Sequence, residues 1–156
     1  MSAIKEEKDI KKHVEKWGKP NIDAGWTIIP NSLLENQARL GLTCIDMMVL
    51  INLITHWWEK DNAPHPAKKR LANILGVSTK TIQRSMVNLE QCGVLKRIDR
   101  YRDSGGRTTN NYDLTMIADV LTPFSNEILA EKKEKALSEI NRPRKRGRGL
   151  LPTSST

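Results

Sequence analysis

The chain has 156 residues, with 26 lysines and arginines against 18 aspartates and glutamates, for a formal charge of +8. That length suits one domain with appendages, and an apolar share of 38% leaves part of the chain outside any core. No apolar run nears the ~20 residues that cross a bilayer, residues 1–19 lack the apolar stretch of a secretory signal, and two cysteines, Cys44 and Cys92, make neither a disulfide framework nor a zinc site at short spacing with histidine. The expectation is a cytoplasmic protein with no membrane partner, no metal and no cofactor.

The charge is unevenly placed. Residues 1–61 carry a net −1, residues 62–112 a net +7, residues 113–140 a net −3 and residues 141–156 a net +5. A polyanion is the natural partner of two such basic blocks, through phosphate neutralisation and counterion release; a solvated basic surface that merely keeps the chain soluble is the plainer alternative.

In chain order, Lys5–Trp17 has Ile10, Val14 and Trp17 at helical spacing and reads as a charged arm, residues 1–22, that docks weakly. Trp26–Ile29, closed by Pro30, reads as a short strand, and Leu33–Arg39 as a short helix ending near Gly41. Thr43 and Asp46 form a weak capping box before an apolar helix reaching Trp58. Because that stretch is apolar nearly all round, it should be buried, with Cys44 as a small core residue. Asp61–Pro66 reads as a loop.

Ala67–Leu75, Gly76-Val77 and Ser78–Cys92 then read as helix, tight turn and helix, stopped by Gly93. Ala72 is the small residue that a steep helix crossing requires, Gly76 allows a turn with positive φ, Val77 plugs the turn, Ser78 caps the second helix and Ile82 packs back. At 100° per residue, Ile82, Met86 and Leu89 share one face with Ser85 beside them, while Lys80, Gln83, Arg84, Val87 and Gln91 fall opposite. An amphipathic helix with a solvated outer face would explain any one of these residues; their joint spacing points to a helix-turn-helix whose second helix enters the major groove of DNA. Arginine binds guanine bidentately, glutamine binds adenine, and threonine or valine touches a thymine methyl.

Val94–Arg102 and Thr108–Thr115 are β-prone and joined by Asp103–Arg107, a hairpin dense in arginine that would serve as a wing. Base contacts are expected from Lys80, Thr81, Gln83, Arg84 and Asn88. Backbone or minor-groove contacts are expected from Lys68, Lys69, Ser78 and Thr79 and from the wing's Arg97, Arg100, Arg102 and Arg107, with Asp99 a candidate partner for Arg97. Leu95, Ile98 and Tyr112 should anchor the wing to the core. Met116–Leu121 reads as a short helix ending before Pro123, and Glu127–Ile140 as a second, charged helix with an apolar side. Residues 142–156 read as a disordered basic tail, in which Arg142, Arg144, Lys145, Arg146 and Arg148 add non-specific phosphate affinity. The fold class is thus mainly α with a small β-hairpin wing. The expected division is an arm over 1–22, a winged domain over 23–121, a C-terminal helix over 122–141 and a tail over 142–156.

The segment from Pro66 to Leu114 resembles the winged helix-turn-helix proteins of phages and plasmids, which include replication initiators and related regulators. The similarity is carried by Leu71-Ala72, Leu75–Ser78, Thr81–Arg84, Leu89–Leu95, Arg97 and Gly105–Leu114, and it covers about two-thirds of the chain with the helix from Thr43. It implies a bacterial, DNA-associated protein of a mobile element that binds duplex DNA in sequence-specific fashion, as a transcriptional regulator or as an origin-binding replication initiator. One departure stands out: Pro66 is followed by Ala67 where such proteins usually carry serine, so the helix loses a side-chain cap. Outside that class, the chain could be a winged-helix adaptor for replication, transcription or partition proteins. RNA binding has little support, because seven aromatics offer a poor stacking platform. Nothing resembles a phosphate-binding loop or catalytic cluster, so an enzyme is not expected. The apolar side of Glu127–Ile140 fits either a homodimer contact, placing two recognition helices ~34 Å apart, or packing on its own domain.

Overall fold

The computed structural model describes residues 2–141. Its helices are α1 (Ser2–Trp17), α2 (Lys19–Asp23), α3 (Asn31–Glu35), α4 (Cys44–Ile54), α5 (Lys68–Leu75) and α6 (Thr79–Gln91). A hairpin of β1 (Lys96–Ile98) and β2 (Asn111–Asp113) follows, and α7 (Ile117–Ile140) ends the described chain. This is a mainly helical winged-helix architecture with one two-stranded antiparallel sheet.

The core forms where α4, α5 and α6 meet. Helix α4 buries Met47, Val49, Leu50 and Leu53; α5 contributes Leu71 and Ala72; α6 contributes Ile82, Met86 and Leu89. Burying one such leucine or isoleucine side chain is worth ~1.5–3 kcal/mol, which outweighs the middling helix propensity of β-branched residues such as Thr79, Thr81 and Ile82 in α6. The wing closes over this core through Val94, Leu95, Tyr112 and Leu114, and α7 through Ile117 and Leu121.

Several local expectations hold. Thr43 and Asp46 make a full capping box at the start of α4. Gly76 ends α5 with φ 65° and ψ 30°, a left-handed conformation that costs a β-carbon-bearing residue ~1–2 kcal/mol. Ser78 caps α6 by accepting from the Thr81 N–H at 3.1 Å, and Ala67 starts α5 with no side-chain cap.

Other expectations fail for identifiable reasons. Trp26–Ile29 belongs to no strand; the sheet among the described residues pairs β1 with β2 alone, and Ile28 stays exposed. The predicted helix over Leu33–Arg39 stops at Glu35 and continues as turns, where the buried Asn36 uses its amide on the Ser32 carbonyl at 2.9 Å. Helix α4 ends at Ile54 rather than near Trp58. Cys44 is the first residue of α4 and is exposed rather than buried. Ile98 is also exposed, so the wing is anchored by Leu95 and Tyr112 without it. Pro123 does not divide the C-terminal region: α7 runs unbroken through it, so the expected boundary between residues 121 and 122 falls inside one helix. A proline here removes the hydrogen bond to the Asp119 carbonyl and crowds that carbonyl with its ring. Asp119 and Pro123 both face solvent, so water can take up that carbonyl. On the far side of Pro123 the helix is pinned by Arg39, which stacks on Phe124 at 4.6 Å and pairs with Glu127 at 2.6 Å.

Candidate nucleic-acid interface

Helix α6 is fixed from behind by a polar joint as well as by its apolar face. Asp46, only 3% exposed, accepts from the Ser85 hydroxyl at 2.5 Å and the Asn88 amide at 2.7 Å, both on α6. It also accepts from the backbone N–H and hydroxyl of Thr43 at 2.8 and 2.7 Å. Burial pushes the Asp46 carboxyl up, but the bonds from Ser85, Thr43 and Asn88 together outweigh it and hold the group below the usual carboxylate range. The capping residue of α4 is therefore also the anchor of α6. Sequence reading found only the cap; Ser85 and Asn88 at i and i+3, flanking the apolar face, are the signal that α6 carries donors toward a buried acceptor.

With its inner side held, α6 turns Thr79, Lys80, Arg84, Val87 and Gln91 outward, all exposed. Thr81 is half-buried, with its hydroxyl 2.9 Å from that of Ser78. Gln83 is half-buried and accepts a hydrogen bond from the Lys68 ammonium. Asn88, expected among the base contacts, is turned inward: its amide nitrogen donates to Asp46 and, at 3.1 Å, to the Gly41 carbonyl. The side chain is committed to the joint, which takes it off the outer face.

The hairpin stands beside this face. Arg97 pairs with Tyr112 across the strands, and the Tyr112 N–H donates outward to the Pro64 carbonyl at 2.8 Å, so the loop before α5 ties the wing to the helix-turn-helix. The tip is closed by bonds from Arg102 N to Gly106 O and from Gly105 N to Arg102 O, each 2.8 Å, with Gly105 at φ 85°. Arg100, Arg102 and Arg107 are exposed on it. Arg107 pairs with Asp99 at 2.6 Å, in place of the expected Arg97–Asp99 pair. Arg97 instead binds Glu90 of α6 through its guanidinium, while its backbone N–H donates to Glu90 at 2.9 Å. That bond lowers the Glu90 pKa and raises that of Arg97. Arg97 thus locks wing to helix from a half-buried position and is the least available of the four wing arginines. Among the described residues, Arg100 and Arg102 have no acidic partner within salt-bridge distance.

The start of α5 completes the basic surface. Lys69 is exposed and Lys68 half-buried; burial first, then the charges of Arg97 and Arg107, lower the Lys68 pKa. Arg70 is exposed in the same turn; sequence reading passed it over, although Lys68-Lys69-Arg70 is an unbroken run of cations. Arg142, Arg144, Lys145, Arg146 and Arg148 lie outside the described residues.

The chain also carries an apolar groove of about 600 Å³ between the end of α4, the start of α7 and residues 22–33, lined by Trp26, Trp57 and Trp58 among others. Its lining holds no Asp, Glu, His, Cys, Lys, Arg or Tyr side chain, and its hydroxyls are those of Thr27 and Thr55. No group of His, Cys, Asp and Glu able to hold a metal occurs among the described residues. No helix there is long and apolar enough to cross a membrane.

Comparison with solved structures returns two proteins titled as regulators. One is a possible transcriptional regulator from Methanosarcina mazei Go1, 22% identical, aligned over 67% of this chain and 84% of that one with a TM-score of 0.43. The other is the transcriptional regulator PA3341, 24% identical, aligned over 70% of this chain and 81% of that one with a TM-score of 0.39. No curated protein sequence matches the chain. The DnaD N-terminal domain model matches residues 29–135, a span from the approach to α3 through the helix-turn-helix and wing into α7, and the chain belongs to that family.

Proposed function

We propose that this chain binds double-stranded DNA in sequence-specific fashion, with α6 in the major groove and the wing on the backbone or in the minor groove. The observation that carries the reading is the outward display of Lys80 and Arg84 on a helix whose other face is anchored, next to the exposed Arg100, Arg102 and Arg107. Lys80, Thr81, Gln83 and Arg84 are the base-reading residues; Lys68, Lys69, Ser78, Thr79 and the exposed wing residues Arg100, Arg102 and Arg107 hold phosphates. Family membership and the basic face support a role on DNA in regulation or replication. The finer reading is a transcriptional regulator of a mobile element, supported by the resemblance carried by the wing residues Gly105–Leu114. Origin binding by a replication initiator uses the same surface. We further propose that the exposed Leu129, Leu137 and Ile140 on α7 meet a second copy of the chain, so that two α6 helices address two half-sites.

The test is the salt dependence of duplex binding by the full chain. Affinity should fall steeply with salt, with a log–log slope of about −0.9 per phosphate neutralised; a shallow slope would favour a protein-interaction adaptor. Deleting residues 142–156 should weaken binding to every duplex alike and flatten the slope by roughly one unit per tail cation on a phosphate. Loss of binding at one sequence only would make the tail a base reader instead.

A further inference from the structure

Arg97 and Tyr112 face each other across β1 and β2, and both of their backbone N–H groups are used outside the hairpin. That of Tyr112 donates to the Pro64 carbonyl at 2.8 Å, and that of Arg97 to Glu90 Oε1 at 2.9 Å. The hairpin is thus gripped at one rung from two sides, by the loop before α5 and by α6. Beyond that rung it bonds to itself, from Thr108 N to Arg100 O, Arg102 N to Gly106 O and Gly105 N to Arg102 O. The stance of Arg100, Arg102 and Arg107 beside Lys80 and Arg84 is therefore set at the rung.

Of the two outer acceptors, Pro64 offers a main-chain carbonyl and Glu90 a side chain. Glu90 also has a second task, because its other oxygen, Oε2, takes the Arg97 guanidinium. Only 25% of the Arg97 side chain and 28% of the Glu90 side chain are exposed. The Arg107–Asp99 pair differs, with side chains 62% and 49% exposed, and an ion pair so open to water is held weakly. A phosphate can take Arg107 from Asp99, but for Arg97 it must compete with a sheltered carboxylate that also holds the strand.

We infer that Glu90 is a positioning residue for DNA recognition, which sets the stance of the wing against α6 and withholds the Arg97 guanidinium from phosphates. The inference rests on the α6–wing face being the DNA surface. Phosphate contacts carry no sequence information directly but fix the register of the reading helix, so a wing released from α6 blurs what α6 reads. A released Arg97 adds a cation that grips any duplex. Loss of Glu90 thus strengthens random binding and weakens discrimination together. A merely unfolded fraction would instead lower binding to every duplex and leave the salt slope alone.

The experiment measures binding of the full chain to its selected duplex and to a random duplex across a salt series. Four forms are compared: wild type, Glu90→Ala, Arg97→Met and the double variant. Glu90→Ala should bind the random duplex more tightly at low salt and steepen the log–log slope by about 0.9. It should also cut the ratio of selected to random affinity roughly tenfold, the size of one lost base contact. Arg97→Met keeps the backbone bond to Glu90, so its slope should match wild type. The double variant should return the slope to the wild-type value without recovering the ratio. An unchanged ratio in Glu90→Ala, or a ratio restored in the double variant, would overturn the positioning role. A flatter slope in Arg97→Met would show that Arg97 already holds a phosphate, and would overturn the inference even if Glu90→Ala failed to fold. Each of these results leaves DNA reading by α6 standing. A wild type with no preferred duplex would overturn that reading and the inference with it.

Discussion

Replacing Asp46 with alanine should cost on the order of 3 kcal/mol of stability and degrade DNA binding as well. The carboxylate accepts from the buried Ser85, the half-buried Asn88 and both donors of the exposed Thr43, and alanine leaves the Ser85 hydroxyl without that partner in a buried position. Each orphaned buried donor costs ~1–3 kcal/mol, less whatever relaxation recovers, and the α4 cap is lost in the same step. Equilibrium urea unfolding reads the loss, and an Asp46→Ala, Ser85→Ala double-mutant cycle should return a coupling well above ~0.5 kcal/mol. Additive effects of the two substitutions would remove the joint. The pH dependence has a defined sign. Because the folded carboxyl titrates below its ordinary value, its contribution is fully present above the unfolded carboxylate pKa of ~3.9 and is lost as pH falls through the lower folded value. Asp46→Asn should therefore flatten the acid limb of the wild-type stability curve in that window.

Arg84→Ala should act in the opposite way, leaving the fold intact and damaging recognition. Arg84 is exposed, and among the described residues it makes no ion pair, so unfolding free energy should stay within ~0.5 kcal/mol of wild type. Binding at the preferred duplex should weaken by ~1–3 kcal/mol, with relaxed preference at one base pair, as expected where a bidentate arginine–guanine contact is removed. Fluorescence anisotropy on the preferred duplex and its single-base variants measures both effects. A uniform loss across all variants would make Arg84 a phosphate contact rather than a reader.

The contrast between these two residues explains what sequence could and could not reveal. Spacing alone located the helix-turn-helix, because its constraints are local: a small residue at Ala72, a left-handed turn at Gly76, a cap at Ser78 and a buried stripe of Ile82, Met86 and Leu89. The outer display of Lys80 and Arg84 follows from the same periodicity. What sequence missed depends on partners far along the chain. Asn88 sits beside the outer face by angle, yet a carboxylate 42 positions earlier draws its amide inward. Arg97 looks like its wing neighbours but meets Glu90 rather than Asp99, since the hairpin folds back on α6. Cys44 belongs to an apolar string, but that string opens at a helix end facing solvent. Pro123 carries a strong local signal for a helix stop, and tertiary contacts on both sides of it prevail.

The most direct measurement is site-specific photocrosslinking to duplex DNA, with a benzophenone amino acid placed singly at positions 84, 107 and 58. Crosslinks are expected from position 84 on α6 and position 107 on the wing, and none from position 58 at the apolar groove. Efficient crosslinking from position 58, with positions 84 and 107 silent, would contradict the assignment of the α6–wing surface as the DNA-reading face.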